Sequence, residues 1–177
     1  INANVDLTQI NDHDGEPVIR QLRLEGWSRA VAADVEVALR KTKVKNLNLS
    51  ISTSQQMLEW KFRGKFSRDD IIKMMTDAVR TALEGGCEVV GINAEDASRT
   101  DLEFLKDFGL AGKEAGAQIL RYCDTLGYDD PFSISERIAW LAREVGMPLE
   151  LHCHNDLGLA VANSLAGAVA ACDEAWT

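Results

Sequence analysis

The sequence predicts an α/β fold of parallel strands with outer helices, an incomplete (β/α)₈ barrel. Three observations carry this. Strand-like and helix-like segments alternate five or six times, at about the thirty-residue spacing of a βαβ unit. No Gly-rich phosphate loop follows the first strand, which argues against a dinucleotide-binding sheet. Polar residues recur where the strands end: Ser50 and Ser52, Glu95 and Asp96, Asp124 and Thr125, His154 and Asn155. In a barrel that end carries the active site, assembled from several strands.

The elements follow from local pattern. Residues 5–10 read as a short strand, and 11–15 as a polar loop in which His13 meets solvent. A short helix is expected around 18–22, then a weak strand over 22–27. A helix starting at Ser28 or at Ala33-Asp34 runs through Arg40. Residues 44–51 alternate. Leu47, Leu49 and Ile51 share one face, and Asn46, Asn48 and Ser50 share the other, which therefore meets water or lines a site. Residues 52–65 read as a long polar loop carrying Trp60 and Phe62, a length often used for active-site lids.

Ser67 caps a helix over 68–84 whose buried stripe is Ile71, Met75, Ala78 and Ala82, and Gly85-Gly86 stops it. A strand over 88–93 leads into a charged connection over 94–99. Helix 100–115 ends at Gly116, and strand 117–123 follows. A capping box of Ser133 and Glu136 opens a helix with the stripe Ile134, Ile138, Leu141 and Val145. Gly146 and Pro148 close it, strand 149–154 comes next, and a small-residue helix spans 159–171.

Composition narrows the function. The 177 residues are 46% hydrophobic, enough for one domain with a core. A net charge of −9 argues against nucleic acid or an anionic membrane as partner. No apolar run is long enough to span a bilayer, and the first residues lack a signal-peptide pattern. Cys87, Cys123, Cys153 and Cys172 are widely spaced, which points to free thiols in a reducing cytoplasm. The start without Met and the end at Trp176-Thr177 suggest part of a longer chain.

The chemistry concentrates in Leu149-Glu150-Leu151-His152-Cys153-His154-Asn155-Asp156. Alternation puts Glu150, His152 and His154 on one face of the strand. Two imidazoles at i and i+2 lie roughly 6–7 Å apart at their backbones, so both rings can converge on one ion. Imidazole supported by oxygen suits Zn²⁺, Mn²⁺ or Mg²⁺. Two ligands do not complete a site, so a further carboxylate is expected. Glu150 either supports a ligating ring or takes part in acid–base chemistry. Glu95 and Asp96 fit a helix-capping turn or an active-site edge. Thr125 fits a turn residue or a hydroxyl that holds a carboxylate. Arg29 pairs with an acid, or anchors substrate if it faces the strand ends.

These residues resemble a known family. The run from Leu149 through Asn163 resembles the HxHND(L/T)G-x-A-x-AN motif of the DRE-TIM metallolyase superfamily, which includes homocitrate, 2-isopropylmalate and citramalate synthases. Glu95-Asp96-Ala97-Ser98-Arg99 is similar to its strand-five motif, and Asp124-Thr125-Leu126-Gly127 to its strand-six motif. Residues 91–101 look most like homocitrate synthases of the type serving nitrogenase-cofactor assembly. Lysine-pathway homocitrate synthases tend to carry Arg and Ser where this chain has Gly91 and Asn93.

The resemblance implies about strands two to seven of the barrel, one incomplete catalytic domain over 1–177. It implies a Claisen-like condensation of acetyl-CoA with 2-oxoglutarate or another 2-oxo acid, assisted by a divalent metal (Mg, Mn or Zn). His152 and His154 would be metal ligands, Thr125 would hold the substrate carboxylate, and Glu95 and Glu150 would serve as acid–base groups. The family's Asp-x-Thr-x-Arg-Asp-Gly and Asn-Gly-x-Gly-Glu-Arg motifs do not occur in these residues. The chain alone is therefore expected to be inactive, or to act as a homo-oligomer or with a complementing chain across open sheet edges. A 2-isopropylmalate or citramalate synthase, and a structural or regulatory barrel fragment, are the competing expectations.

Overall fold

A computed structural model describes residues 13–14 and 24–175, with side chains through Cys172. Five strands and five helices alternate along the described chain: β1 (Glu25–Arg29), α1 (Ala32–Lys41), β2 (Asn46–Ser52), α2 (Arg68–Glu84), β3 (Val89–Glu95), α3 (Leu102–Ala115), β4 (Ile119–Asp124), α4 (Pro131–Val145), β5 (Leu149–Cys153) and α5 (Ala160–Ala175). All strands pair in parallel, in the order β1-β2-β3-β4-β5. An order that never reverses has no switch point, so every helix lies on one face of the sheet. That is the arrangement of a barrel wall, not of a doubly wound sheet.

The two faces differ in chemistry because side chains alternate. Leu47, Leu49, Ile51, Val90, Ile92, Ala94, Leu120 and Tyr122 turn outward and are buried under the helices. The predicted stripes meet them: Ile71, Met75, Ala78 and Ala82 on α2, and Ile134, Ile138, Leu141 and Val145 on α4, are all buried. Each such large aliphatic side chain contributes about 1.5–3 kcal/mol through burial. At Gly112 a Cβ would stand 2.3 Å from Ile92 Cδ1, so any larger residue requires the buried Ile92 side chain to shift where α3 lies against β3. The register aligns the other face into rows. Glu25, Asn46 and Val89 form one row; Trp27, Asn48, Gly91 and Ile119 the next; Arg29, Ser50, Asn93, Arg121 and Glu150 another. Ser52 and Glu95 follow, and Cys123 and His152 pair beyond Arg121 and Glu150.

Several boundaries differ from the sequence-based expectation. Ala94 and Glu95 belong to β3, not to a connection, because Ile51 and Ser52 extend β2 beside them. β1 is shifted and ends at Arg29. α3 begins at Leu102, not at Thr100, and Asp101 caps it by accepting the Phe104 N–H. The capping box of α4 is Asp130 with Ser133, not Ser133 with Glu136. Asp130 accepts the N–H groups of Phe132 and Ser133, and Pro131 takes the first helical position, where its missing N–H costs nothing. The 52–65 segment is not all loop: Met57–Lys61 forms one π-helical turn. The expected strand over 5–10 and helix over 18–22 lie outside the described residues. His13 is exposed in a turn beside Asp14. All four cysteines are free thiols.

Candidate active site

β5 brings the two histidines together. Their Nε2 atoms stand 3.1 Å apart at the C-terminal edge of the sheet. Two nitrogens each about 2.1 Å from one ion, at the angles usual for such ligands, would be about 3.0–3.4 Å apart, so the pair fits a shared divalent cation. His152 is exposed at its outer edge but partly desolvated by the strand ends, and this desolvation, followed by repulsion from His154 and Arg121, holds its imidazole below the ordinary value, favouring the neutral form that can ligate. Among the described residues no third His, Cys, Asp or Glu joins them. Cys123 pairs with His152 in the register, and burial pushes its thiol up to about 12.

Below the histidines lies an ion network whose pairing the sequence pattern does not reveal. Arg121 donates from Nε to Glu150 (2.7 Å) and from Nη2 to Glu25 (2.7 Å), and its Nη2 also stands in ion-pair contact with Glu150 at 2.6 Å. Glu25 sits on β1 and Glu150 on β5, so the concave curvature of the sheet lets one guanidinium span them. Burial lowers the Arg121 guanidinium, but the hydrogen bonds to Glu25 and Glu150 outweigh it and leave it raised. Glu150 is thus half-buried and paired. The signal in the sequence is an arginine inside the otherwise apolar run Ile119-Leu120-Arg121-Tyr122-Cys123.

The edge beyond β3 is built as tightly. Lys61, on the π-helical turn, donates to both Glu95 oxygens (2.7 and 2.9 Å) and to Ser52 Oγ (2.9 Å). Asp96 is fully buried in a left-handed conformation (φ 64°), a region that aspartate and asparagine enter more readily than other residues with a side chain. The Ser54 hydroxyl and the Arg99 guanidinium hold its carboxylate. Its N–H donates to Thr125 Oγ1 at 2.9 Å, which joins the loops after β3 and β4 and leaves the Thr125 hydroxyl hydrogen for another acceptor. The loops after β4 and β5 meet at Gly127 (φ 60°), where a Cβ would press on His154 O and Asp156 N at 3.2 Å.

Behind the sheet, Tyr122 donates to Asp129 (2.6 Å), and Arg137 donates to Tyr122 and to the carbonyls of Ala97 and Thr100. Burial raises both the Tyr122 phenol and the Asp129 carboxyl. Of the predicted site residues, Glu95, Glu150 and His152 lie on the inner face of the sheet, and Thr125 and His154 directly follow the ends of β4 and β5. Arg29 lies on the same face, but its guanidinium is held by Asp34 at 2.5 Å and the side chain is largely exposed.

The chain is similar to known proteins in sequence and in fold. The HMGL-like family model matches residues 6–175. The citrate (Re)-synthase of Dehalococcoides mccartyi is 56% identical over 95% of this chain and 39% of its own length. A 2-isopropylmalate synthase of Caldanaerobacter subterraneus is 45% identical over 80% of the chain and 36% of its own length. Homocitrate synthase 1 of Nostoc is 34% identical over 81% and 37%. The chain thus spans well under half the length of these curated relatives. Among solved structures, an HMG-CoA lyase determined with coenzyme A and 3-methylmalate superposes over 93% of this chain and 52% of its own, with a TM-score of 0.71 at 18% identity, a likeness of fold. Family model, motifs and sheet order agree, and the chain belongs to the HMGL-like family, within the DRE-TIM metallolyase superfamily.

Proposed function

We propose that this chain is the incomplete barrel domain of an acyltransferase that condenses acetyl-CoA with a 2-oxo acid. The observation that carries the reading is the convergence of His152 and His154 on one point at the strand ends of an HMGL-like sheet. A divalent ion (Mg, Mn or Zn) held there supplies Lewis acidity to the 2-oxo acid's ketone. The two Nε2 atoms would hold it.

The remaining roles fall to this chain's own side chains. The Thr125 hydroxyl donates to the substrate carboxylate, its oxygen already fixed by the Asp96 N–H. Arg29 joins it as an anchor by leaving Asp34. Glu95, held by Lys61, and Glu150, held by Arg121, are the acid–base pair. One takes a methyl proton from the thioester. The resulting carbanion bonds to the ketone carbon, and the new alkoxide takes a proton. Water then cleaves the thioester and releases CoA.

The substrate is a dicarboxylic 2-oxo acid. The motif likeness over residues 91–101 favours 2-oxoglutarate, giving homocitrate of the kind used in nitrogen fixation. The 56% identity to a citrate (Re)-synthase favours oxaloacetate, giving citrate. The reaction requires neither nucleic acid nor membrane, and no described helix is long and apolar enough to cross one. Free thiols fit a cytoplasmic setting. In the described sheet the outer edges of β1 and β5 are unpaired, and α5 exposes Val161, Leu165 and Val169 along one stripe. Both features support a second copy or a complementing barrel segment as partner.

The test is CoA release by the chain together with its complementing segments, with acetyl-CoA and 2-oxoglutarate, oxaloacetate, 2-oxoisovalerate or pyruvate in turn. Release with a dicarboxylic acid, abolished by His154→Ala, is expected. No release with any of the four removes the proposal.

A further inference from the structure

We infer that the segment from Met57 to Phe66 is a binding site for the nucleotide phosphates of the acyl-CoA, an inference that rests on the condensing reaction proposed above. The chain carries a net charge of −9, yet residues 61–68 hold four cations and no acid. Lys61, Phe62, Arg63, Lys65 and Phe66 line a cleft of about 340 Å³. Its aromatic wall is fixed by an edge-to-face contact between Phe62 and Phe66, with centroids 5.5 Å apart.

Two observations separate this patch from an ordinary solvated charge run. First, Arg63 is left-handed (φ 55°) and is followed by Gly64 in the same region (φ 64°). Such backbone persists in a non-glycine residue only where surrounding bonds hold it, and it clusters at binding sites. Here the Gly64 N–H donates to Leu58 O at 2.9 Å and the Lys65 N–H to Phe62 O at 3.1 Å. Among the described residues neither Arg63 nor Lys65 makes an ion pair, whereas Lys61 and Arg68 each have one.

Second, the cleft is joined to the candidate active site. Its wall residue Lys61 also grips Glu95 and Ser52 on the inner face of the sheet. The segment follows β2 and so lies at the strand ends, on the side of His152 and His154. A long, polyanionic thioester could keep its acetyl group near Glu95 while its phosphates meet Arg63 and Lys65. The exposed Trp60 ring on the same turn offers a flat surface to the base.

The test uses Arg63→Glu/Lys65→Glu in the complemented enzyme. Both positions are exposed, and an Arg63→Ala/Lys65→Ala variant controls for local strain. Acetyl-CoA is compared with acetyl-pantetheine, which lacks the nucleotide. The charge reversal is expected to raise the KM for acetyl-CoA about tenfold, the effect of turning two screened phosphate–cation attractions into repulsions. The KM values for acetyl-pantetheine and for the 2-oxo acid should each move less than about twofold, since neither carries the nucleotide phosphates. CoA affinity by titration calorimetry should fall in parallel and depend on salt. An acetyl-CoA KM unchanged by the reversal, with CoA still binding, overturns this site and leaves the condensing reaction standing. A parent enzyme that binds no CoA overturns both.

Discussion

Arg121 lies between two carboxylates from opposite ends of the described sheet, and its removal leaves them facing each other. Arg121→Met keeps much of the side-chain volume but strands Glu25 and Glu150. The three side chains are partly exposed, so the loss is smaller than for a fully buried pair, about 2 kcal/mol. Urea unfolding should show it, and Glu25→Gln in the Arg121→Met background should recover part of it. An Arg121→Met protein as stable as its parent would contradict the bridging role. The same substitution should also lower turnover, because Glu150 loses its orientation. At this scale the sequence is partly legible. A charge inside an apolar strand must face a polar interior, so Arg121 can be placed on the inner face. Its partners cannot be named, because alternation gives the face of a residue but not the residue opposite. Asp96 is legible as an acid at a strand end. Its left-handed backbone is not, since that depends on Ser54, Arg99 and Thr125, two of which arrive from other segments of the chain.

At the scale of elements, α2 illustrates a boundary set locally. Ser67 accepts the Asp70 N–H, and Asp70 accepts the Ser67 N–H. The Ser67 N–H, and then its hydroxyl, pull the Asp70 carboxyl below its ordinary 3.8. A lowered acid stabilises the fold above its unfolded value, and that contribution disappears as pH falls through the folded one. Asp70→Asn should therefore melt below its parent at neutral pH, with the gap closing once the pH is taken below 3.8. A gap of constant size at all pH values would show that the charge is not what matters. Ser67 is readable because a cap and its box lie within four residues. The α4 start is ambiguous because two overlapping boxes fit the sequence. Pro131 decides between them, since its ring suits the first helical position and leaves Asp130 outside. β3 runs longer than its pattern because β2 pairs with it through Glu95.

At the scale of the whole molecule, the histidine pair should couple metal binding to stability. If His152 and His154 hold one ion, Mn²⁺ or Zn²⁺ at about a hundred times its dissociation constant should add about 2.7 kcal/mol to unfolding. His152→Ala should remove that gain while leaving the metal-free melting temperature nearly unchanged, because the residue is exposed. Equal metal stabilisation of parent and His152→Ala would place the ion elsewhere. The alternation of strands and helices suffices to predict a parallel α/β wall. The choice of barrel over open sheet rests on polar strand ends, and the unreversed strand order agrees with it.

The sequence by itself determined what depends on neighbours along the chain: the period of each element, the cap of α2, and two imidazoles on one face of one strand. Those follow from backbone geometry over a few residues. Tertiary structure alone decided the Glu25–Arg121–Glu150 bridge, the grip of Lys61 on Glu95, and the hydrogen bond from Asp96 to Thr125. Their partners come from separate strands and loops, and only the register and curvature of the sheet bring such residues within reach of one another.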